Sequence, residues 1–154
     1  RDLRRAPCTR TGHHAYLGGL LEHTVAVGTL ALEVCQLHVK LNSDLLLCAA
    51  LVHDLGKTRE FTYGAELGLT DEGRMLGHVE LGLRLIDDAA ARVPELDDGR
   101  RLALAHCVLT HHGADATGRG GGKFGSAEAL ALYRINALDT QVKGALEQGL
   151  ALER

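Results

Sequence analysis

The chain has 154 residues, of which 45% are hydrophobic, 24% are charged and 3% are aromatic. This length suits one domain with a hydrophobic core, and the apolar content excludes a disordered chain. The net charge of −3 gives no overall basic signature of nucleic-acid binding. Since no apolar run approaches the ~20 residues that a bilayer requires, we expect no membrane association. Trp is absent and Leu and Ala must fill the core, which favours helices.

The cysteines and the first residue bear on the cellular location and the domain organisation of the chain. The four cysteines form no C-x-x-C pair, which favours a reducing, cytoplasmic location without disulfides. No internal repeat or second domain is visible, so residues 1–154 are expected to form a single domain. The chain begins with Arg rather than Met, which is compatible with a domain taken from a longer protein.

The first predicted helix runs from about residue 14 to residue 40. Two apolar stripes, with steps of three and four residues, lie along it. The first stripe contains Leu21, Val25, Gly28, Leu32, Cys35 and Val39, and the second contains Leu20, Thr24, Val27, Ala31 and Val34. Because the stripes together cover much of the helix circumference, we expect this helix to be largely buried.

The later elements are predicted from their apolar patterns and end signals. Four further helices are expected over residues 43–55, 72–93, 97–113 and 126–148. Ser43 and Ser126 are typical N-caps, and Pro94 requires the third helix to stop before it. Residues 58–70 are interpreted as a small hairpin or loop excursion. The core face of the last helix is predicted to contain Ile135, Leu138, Val142 and Leu146.

A Gly-rich stretch, "GADATGRGGGKFG", separates the last two predicted helices. It is either a simple linker or a mobile flap that carries Arg119 and Lys123 to a substrate site. The chain as a whole is therefore predicted to be an all-α domain of about five main helices.

Nine histidines are more than a core of this size needs. Seven His and Asp residues on five predicted helices lie beside apolar neighbours, where unpaired polar groups are costly. They are His23, His53, Asp54, His78, His111, His112 and Asp139. Imidazole and carboxylate ligands suit Mn, Fe, Co, Ni or Zn better than Mg, so this set predicts a transition-metal site. His38 and His106 are interpreted as structural.

The order of these residues resembles the HD-domain superfamily of metal-dependent phosphohydrolases. The resemblance rests on a helical His, a His-Asp doublet, further His residues and a distal helical Asp. The motifs "HHAYLGGLLEHT", "HDLGK", "LTDEGRMLGHVELG", "VLTHHG" and "NALDT" are most similar to the HD domain of 3′–5′ exoribonucleases that carry an OB-type nucleic-acid-binding domain. The resemblance implies a helical bundle and covers residues 13 to 139.

The resemblance also implies a role for each matching residue. The first of two metal ions would be held by His23, His53, Asp54 and Asp139. Asp54 would bridge to a second ion, which His78, His111 and His112 complete. Lys57 would face the substrate phosphate, and His13 and His14 either contact the substrate or simply begin the first helix. A metal-bridging hydroxide would then attack phosphorus in line, without a Ser or Cys nucleophile.

Several departures from the family pattern leave the substrate open. Ala127 stands where the family has the Pro of a Gly-Ser-Pro signature, and Asn136 replaces a frequent Asp. No Gly-Tyr-Pro motif follows His112, which argues against the cyclic-di-GMP branch, and no OB-type domain is present in these 154 residues.

Three functions are compatible with this pattern. The first is a phosphodiesterase that shortens single-stranded RNA or oligonucleotides from the 3′ end. The second is a nucleotide or cyclic-nucleotide phosphohydrolase, and the third is a non-catalytic metal-containing module of a larger protein. The Gly-rich loop favours the first, the acidic net charge favours the second, and the intact ligand set argues against the third.

Overall fold

The fold is a bundle of helices with one small hairpin, as predicted. The computed structural model describes residues 2–9, 14–63, 67–117 and 123–150. Its α-helices are Gly19–Leu37 (α1), Ser43–Val52 (α2), Lys57–Glu60 (α3), Asp71–Ala90 (α4), Asp98–Leu109 (α5) and Ala127–Glu147 (α6). Strands Phe61–Tyr63 (β1) and Leu67–Leu69 (β2) pair in an antiparallel hairpin, and Asp2–Arg4 and Ala114–Thr117 form short 3₁₀ helices. The prediction of an all-α domain with five main helices is confirmed, with α3 as an additional single turn.

Side-chain caps set the starts of four helices. Asn42, rather than the predicted Ser43, caps α2, because its side chain accepts a hydrogen bond from the backbone N–H of Leu45 at 3.0 Å. Ser126 caps α6 as predicted, accepting from the N–H of Ala129 at 3.1 Å. Helices α4 and α5 begin with the same kind of cap. These caps satisfy backbone donors that the first helical turn leaves unpaired.

The hydrophobic core lies where α1, α2, α5 and α6 meet, and α4 packs against α5 at its edge. Its buried residues are Val27, Ala31, Leu46, Ala49, Ala50, Ile86, Leu104, Cys107, Val108, Ala129, Leu132 and Ile135. Small residues dominate α2 at this point, which allows the neighbouring helices to approach it closely. The turn after α2 is thereby held in the interior of the bundle.

Helix α1 is less buried than its sequence predicts. It begins at Gly19 rather than near residue 14, and its buried side chains come mainly from the second apolar stripe, with Gly28 from the first. From the first stripe, the side chains of Val25 and Leu32 are 57% and 48% exposed. Although the sequence analysis found no membrane-length apolar run, α1 alone among the described helices is long and apolar enough to cross a bilayer. The other face of α1 packs against α2 and α6, as a core helix does.

The predicted core face of α6 is wrong except at Ile135. Leu138, Val142 and Leu146 are each about half exposed, at 52%, 49% and 54%. The buried face instead contains Ala129, Leu132, Ile135 and Asn136. Polar Asn136 faces inward because α6 borders the candidate site, so the apolar pattern pointed to the wrong side of the helix.

Substitutions on the two faces of α6 should differ in their cost. Leu132→Ala should lower the free energy of unfolding by about 2–5 kcal/mol, because Leu132 is fully buried and its loss leaves a cavity. Leu138→Ala, the matched control, should cost well under half as much, since Leu138 is 52% exposed. Urea denaturation of both variants measures the difference. Equal losses would restore the sequence-based assignment of Leu138 to the core.

Candidate metal centre

Asp54 lies at the centre of the predicted site, in the turn that follows α2. Its side chain is 2% exposed, and its two oxygens face different pairs of histidines. Oδ2 lies 3.6 Å from Nε2 of His23 and 3.4 Å from Nε2 of His53. Oδ1 lies 3.4 Å from Nε2 of both His78 and His111. The chain thus brings together one carboxylate and four imidazoles from widely separated positions.

Three of these four rings have an oxygen within hydrogen-bond distance of their other nitrogen. Nδ1 of His53 and of His111 lies 2.9 Å and 2.5 Å from a carbonyl oxygen one turn earlier. Nδ1 of His23 lies 2.6 Å from Oδ2 of Asp139. An acceptor at Nδ1 favours the tautomer that carries its proton there, and the lone pair of Nε2 then points toward Asp54. This is the tautomer in which a histidine binds a metal ion through Nε2.

The facing nitrogen atoms provide a test of whether cations fit. Nε2 of His23 lies 3.2 Å from Nε2 of His53, and Nε2 of His78 lies 2.9 Å from Nε2 of His112. In the Nδ1–H tautomer two such lone pairs repel each other unless a cation or a proton lies between them. Oδ1 of Asp54 is also buried and completes no hydrogen bond within the described structure. The donor set therefore fits divalent cations on both sides of Asp54.

The electrostatics of the site keep Asp54 charged and His23 and His112 neutral, which are their metal-binding forms. Burial opposes ionisation of Asp54, but the Lys57 ammonium, followed by His53, holds the pKa of that carboxyl well below its usual value. Burial lowers the pKa of His23 to about 4. Partial burial of the ring, together with His111 and His78, lowers the pKa of His112 to about 3. At neutral pH these imidazoles are uncharged, so a metal ion need not displace a proton from them.

Lys57 is the first residue of α3 and reaches back to the site. Its Nζ donates to Oδ2 of Asp54 at 2.7 Å and lies 3.6 Å from Sγ of Cys8. Burial disfavours the ammonium, but Asp54 outweighs this effect and raises the pKa of Lys57. The side chain is therefore a buried cation that also lines the open cleft above the site.

That cleft has a volume of about 550 Å³. It is lined by Lys57 and the three histidines of the second proposed metal set, and Phe61 and Tyr133 form part of its walls. His112 lies at its mouth and is exposed, whereas His111 is fully buried. The cleft is large enough to bring a phosphoester to the imidazoles.

The predicted substrate contacts are only partly placed by the structure. His13 and Arg119 lie outside the described residues. His14 is 1% exposed, and its ring nitrogens do not face the cleft. Nδ1 lies 3.1 Å from the hydroxyl of Tyr16, and Nε2 lies 3.4 Å from Oδ2 of Asp139. Lys123 is exposed and is not among the residues that line the cleft. The substrate roles of these residues stay predictions.

Asp139 contacts the ring of His23 on the side away from Asp54. Its Oδ2 lies 2.6 Å from Nδ1 of His23 and 3.4 Å from Nε2 of His14. In this arrangement the carboxylate orients the His23 ring. The predicted role of Asp139 as a direct ligand stays a prediction.

Two residues near the site were missed by the sequence analysis. Sγ of Cys8 lies within 4.8 Å of ligand atoms of His23 and Asp54, on a buried N-terminal segment. Burial raises the pKa of its thiol to about 12, and nothing in the sequence distinguishes it from a core cysteine. Glu60 contacts His78, and nothing in the sequence distinguishes it from any other acidic residue of a polar segment.

The two histidines interpreted as structural lie away from Asp54. His38 is exposed at the C-terminal end of α1. His106 accepts a hydrogen bond from the backbone N–H of Gly125 at 2.9 Å, which ties α5 to the start of α6.

Comparison with known proteins agrees with this geometry. The HD domain family model matches residues 20–141. A protein named 3′-5′ exoribonuclease YhaM from Shouchella clausii is 32% identical over an alignment 143 residues long, which covers 89% of this chain and 42% of that protein. The protein of that name from Bacillus licheniformis is 33% identical, over 88% of this chain and 43% of its own length. The one from Bacillus subtilis is 34% identical, over 70% of this chain and 34% of its own length. The chain thus spans less than half the length of these curated relatives.

A solved structure has the same fold. The crystal structure of the HD domain of the phosphodiesterase PgpH from L. monocytogenes is 18% identical, with a TM-score of 0.50, and covers 99% of this chain and 73% of that one. At this identity the likeness concerns the fold alone. The family match spans the His-Asp doublet and both histidines that face Oδ1 of Asp54. The resemblance identified from the sequence motifs is confirmed, and the chain belongs to the HD-domain family.

Proposed function

We propose that the protein is a metal-dependent phosphohydrolase that cleaves phosphodiesters. The observation that supports this most strongly is the arrangement around Asp54, where four Nε2 atoms lie 3.4–3.6 Å from its two oxygens. A single buried carboxylate that presents each oxygen to a different pair of imidazoles is suited to bridge two cations. Membership of the HD-domain family supports the same chemistry.

The proposed ligands fall into two sets that share Asp54. The first ion would be held by His23, His53 and Oδ2 of Asp54, with Asp139 as the further predicted ligand. The second would be held by His78, His111 and Oδ1 of Asp54, with His112 beside them at the cleft. Mn, Fe, Co, Ni and Zn suit these nitrogen and carboxylate donors better than Mg.

The residues of the chain would contribute binding, charge and orientation. When bound, two divalent ions supply a hydroxide nucleophile at neutral pH and stabilise the attacking and leaving oxygens of an in-line displacement. Lys57 places a positive charge at the floor of the cleft, where it can neutralise a phosphoryl oxygen. The acceptors at Nδ1 keep the imidazoles in one orientation throughout the reaction.

The proposed substrate is the 3′ end of RNA or of a short oligonucleotide. The names of the curated relatives support this choice, as does a cleft open enough for a chain end. The described surface offers no global basic character, since the net charge of the whole chain is −3. We therefore propose that binding of long RNA depends on a further domain of the full-length protein, for which an OB-type domain is the candidate.

Side-by-side hydrolysis assays test the proposed substrate. Metal-replete protein should shorten single-stranded RNA stepwise from its 3′ end and release nucleoside 5′-monophosphates, with Mn²⁺ among the supporting metals. A generic aryl phosphodiester should also be cleaved, because the chemistry resides in the site rather than in base recognition. Mononucleotides and cyclic nucleotides are included in parallel, and Mg²⁺ should support less activity than Mn²⁺.

The alternatives predict different products. Turnover of mononucleotides or cyclic nucleotides with little loss of RNA would assign the protein as a nucleotide phosphohydrolase. No hydrolysis of any phosphoester with Mn²⁺, Fe²⁺ or Co²⁺ would make it a non-catalytic metal-containing module.

A further inference from the structure

Glu60, the last residue of α3, makes a contact with His78 that the site described above does not use. Its Oε1 accepts a hydrogen bond from the backbone N–H of His78 at 3.2 Å and lies 3.5 Å from Nδ1 of the same residue. Both side chains are largely buried, with 13% of Glu60 and 18% of His78 exposed. One carboxylate oxygen thus approaches both the main chain and the ring of a proposed metal ligand.

The backbone around this contact is shaped to permit it. Gly77, immediately before His78, has φ 72° and ψ 164°, which interrupts the helical conformation of α4. This is a backbone conformation that residues other than glycine rarely adopt. Because of the kink, the N–H of His78 points toward Glu60, which comes from a different element of the chain. A regular helix would instead pair this N–H with a carbonyl oxygen four residues earlier.

Two close approaches fix Glu60 and His78 relative to each other. A Cβ atom on Gly73 would lie 2.3 Å from the carbonyl oxygen of Glu60, and one on Gly56 would lie 1.9 Å from that of His78. Only glycine fits at these distances. The carbonyl oxygen of Glu60 also accepts from the N–H of Thr70, the N-cap of α4, at 2.9 Å. The start of α4 is therefore held against the end of α3, which keeps the backbone of Glu60 close to His78.

The position of Glu60 completes a pattern among the proposed ligands. His53 and His111 have neutral carbonyl oxygens of their own chain segment at Nδ1. His78 instead has a carboxylate near Nδ1, which belongs to Glu60 at the end of α3. A carboxylate beside Nδ1 favours the proton on that nitrogen and increases the basicity of Nε2. Nε2 is the atom that faces Oδ1 of Asp54 at 3.4 Å.

We propose that Glu60 is a positioning residue for the second metal ion. It holds the backbone of His78 at the kink and keeps the Nδ1 proton in place, so that Nε2 offers its lone pair to the cation. This inference rests on the two-metal site of the proposed function. It assigns to the end of α3 a role in setting the affinity of one of the two ions.

Metal-binding measurements on Glu60 variants test the proposal. Titration of chelator-stripped protein with Mn²⁺ should show two classes of site in the wild type. Glu60→Ala should weaken the second ion about 10–100-fold, the usual cost of removing such a partner, and leave the first unchanged. Glu60→Gln should fall between them, since its amide oxygen still accepts a hydrogen bond without the charge. Glu80→Gln, at a half-exposed residue of α4 paired with Arg84, is the matched control and should bind both ions normally.

The tautomer of His78 gives a second readout that is independent of activity. In metal-free protein, long-range ¹H–¹⁵N correlation spectra should show His78 protonated at Nδ1, and Glu60→Ala should produce a mixture of tautomers. Glu60→Gln, which keeps the shape of the side chain, covers the case in which the alanine variant fails to fold. Wild-type affinity for the second ion in both variants would overturn the proposal while leaving the proposed function intact. A wild type that binds no second ion would instead contradict the two-metal site itself.

Discussion

Asp54→Ala should abolish the binding of both metal ions. Asp54 is the only residue in the described structure whose two oxygens face both histidine pairs, at 3.4–3.6 Å. Its loss removes one anionic ligand from each proposed ion and leaves the Lys57 ammonium without its carboxylate partner. Elemental analysis of protein purified without chelator should find about two ions per chain in the wild type and almost none in the variant.

Further variants distinguish the effect of losing the bridging carboxylate from the effect of losing a ligand to one ion. His78→Ala should chiefly empty the second site, whereas Asp88→Asn, an exposed residue on the same helix, should leave both ions in place. Asp139→Asn decides the role of the distal carboxylate. If Asp139 is a direct ligand, the variant should lose the first ion, whereas if it only accepts from Nδ1 of His23, the variant should largely retain that ion. Full metal occupancy in Asp54→Ala would refute the bridging assignment.

Lys57→Ala should retain its metal and lose about 10²–10³ in the rate of phosphodiester hydrolysis, the usual cost of one charge-stabilising contact at a transition state. Nζ of Lys57 contacts Oδ2 of Asp54, so in the metal-free protein it occupies the place of a cation beside the first site. Removing it takes away a competitor for that oxygen, and metal affinity should therefore be kept or increased. The rate loss then reports the charge at the floor of the cleft alone.

Single-turnover kinetics with a phosphodiester and parallel metal analysis measure the two effects separately. Lys40→Ala is a suitable control because Lys40 is an exposed lysine beyond the end of α1, where it lines a different groove. Unchanged hydrolysis by Lys57→Ala would assign Lys57 to balancing the charge of Asp54 in the folded protein. A loss of metal along with activity would show that Lys57 supports the ligands rather than the substrate.

The sequence predicted the elements better than their orientation. Helical periodicity and the N-cap signals located all five main helices, because these depend on neighbours within a few residues. The choice of buried face on α6 depends on which side meets the site. There the inward residues include Asn136 and Asp139, which hydropathy places outside, and Leu138 was assigned to the core in error.

The candidate site was predicted through residue types that are costly to bury. His23, His53 and Asp54 stood out because imidazole and carboxylate groups within apolar helices need partners. Glu60 and Cys8 did not, because an acidic residue in a polar segment and a cysteine near apolar residues are both ordinary. Their proximity to the site arises from the kink at Gly77 and from the path of the N-terminal segment, and neither leaves a periodic signal.

The facing nitrogen atoms of His23 and His53 have a consequence for the folding equilibrium. Without a cation, the buried lone pairs 3.2 Å apart oppose the association of α1 with the end of α2. A bound ion turns the same contact into a cross-link between segments 30 residues apart in sequence. Any ion that binds only the folded state stabilises it by RT ln(1 + [L]/Kd), about 2.7 kcal/mol at a hundredfold excess over Kd. We therefore expect the melting temperature of this domain to rise with the free concentration of any divalent metal ion that binds between these two rings.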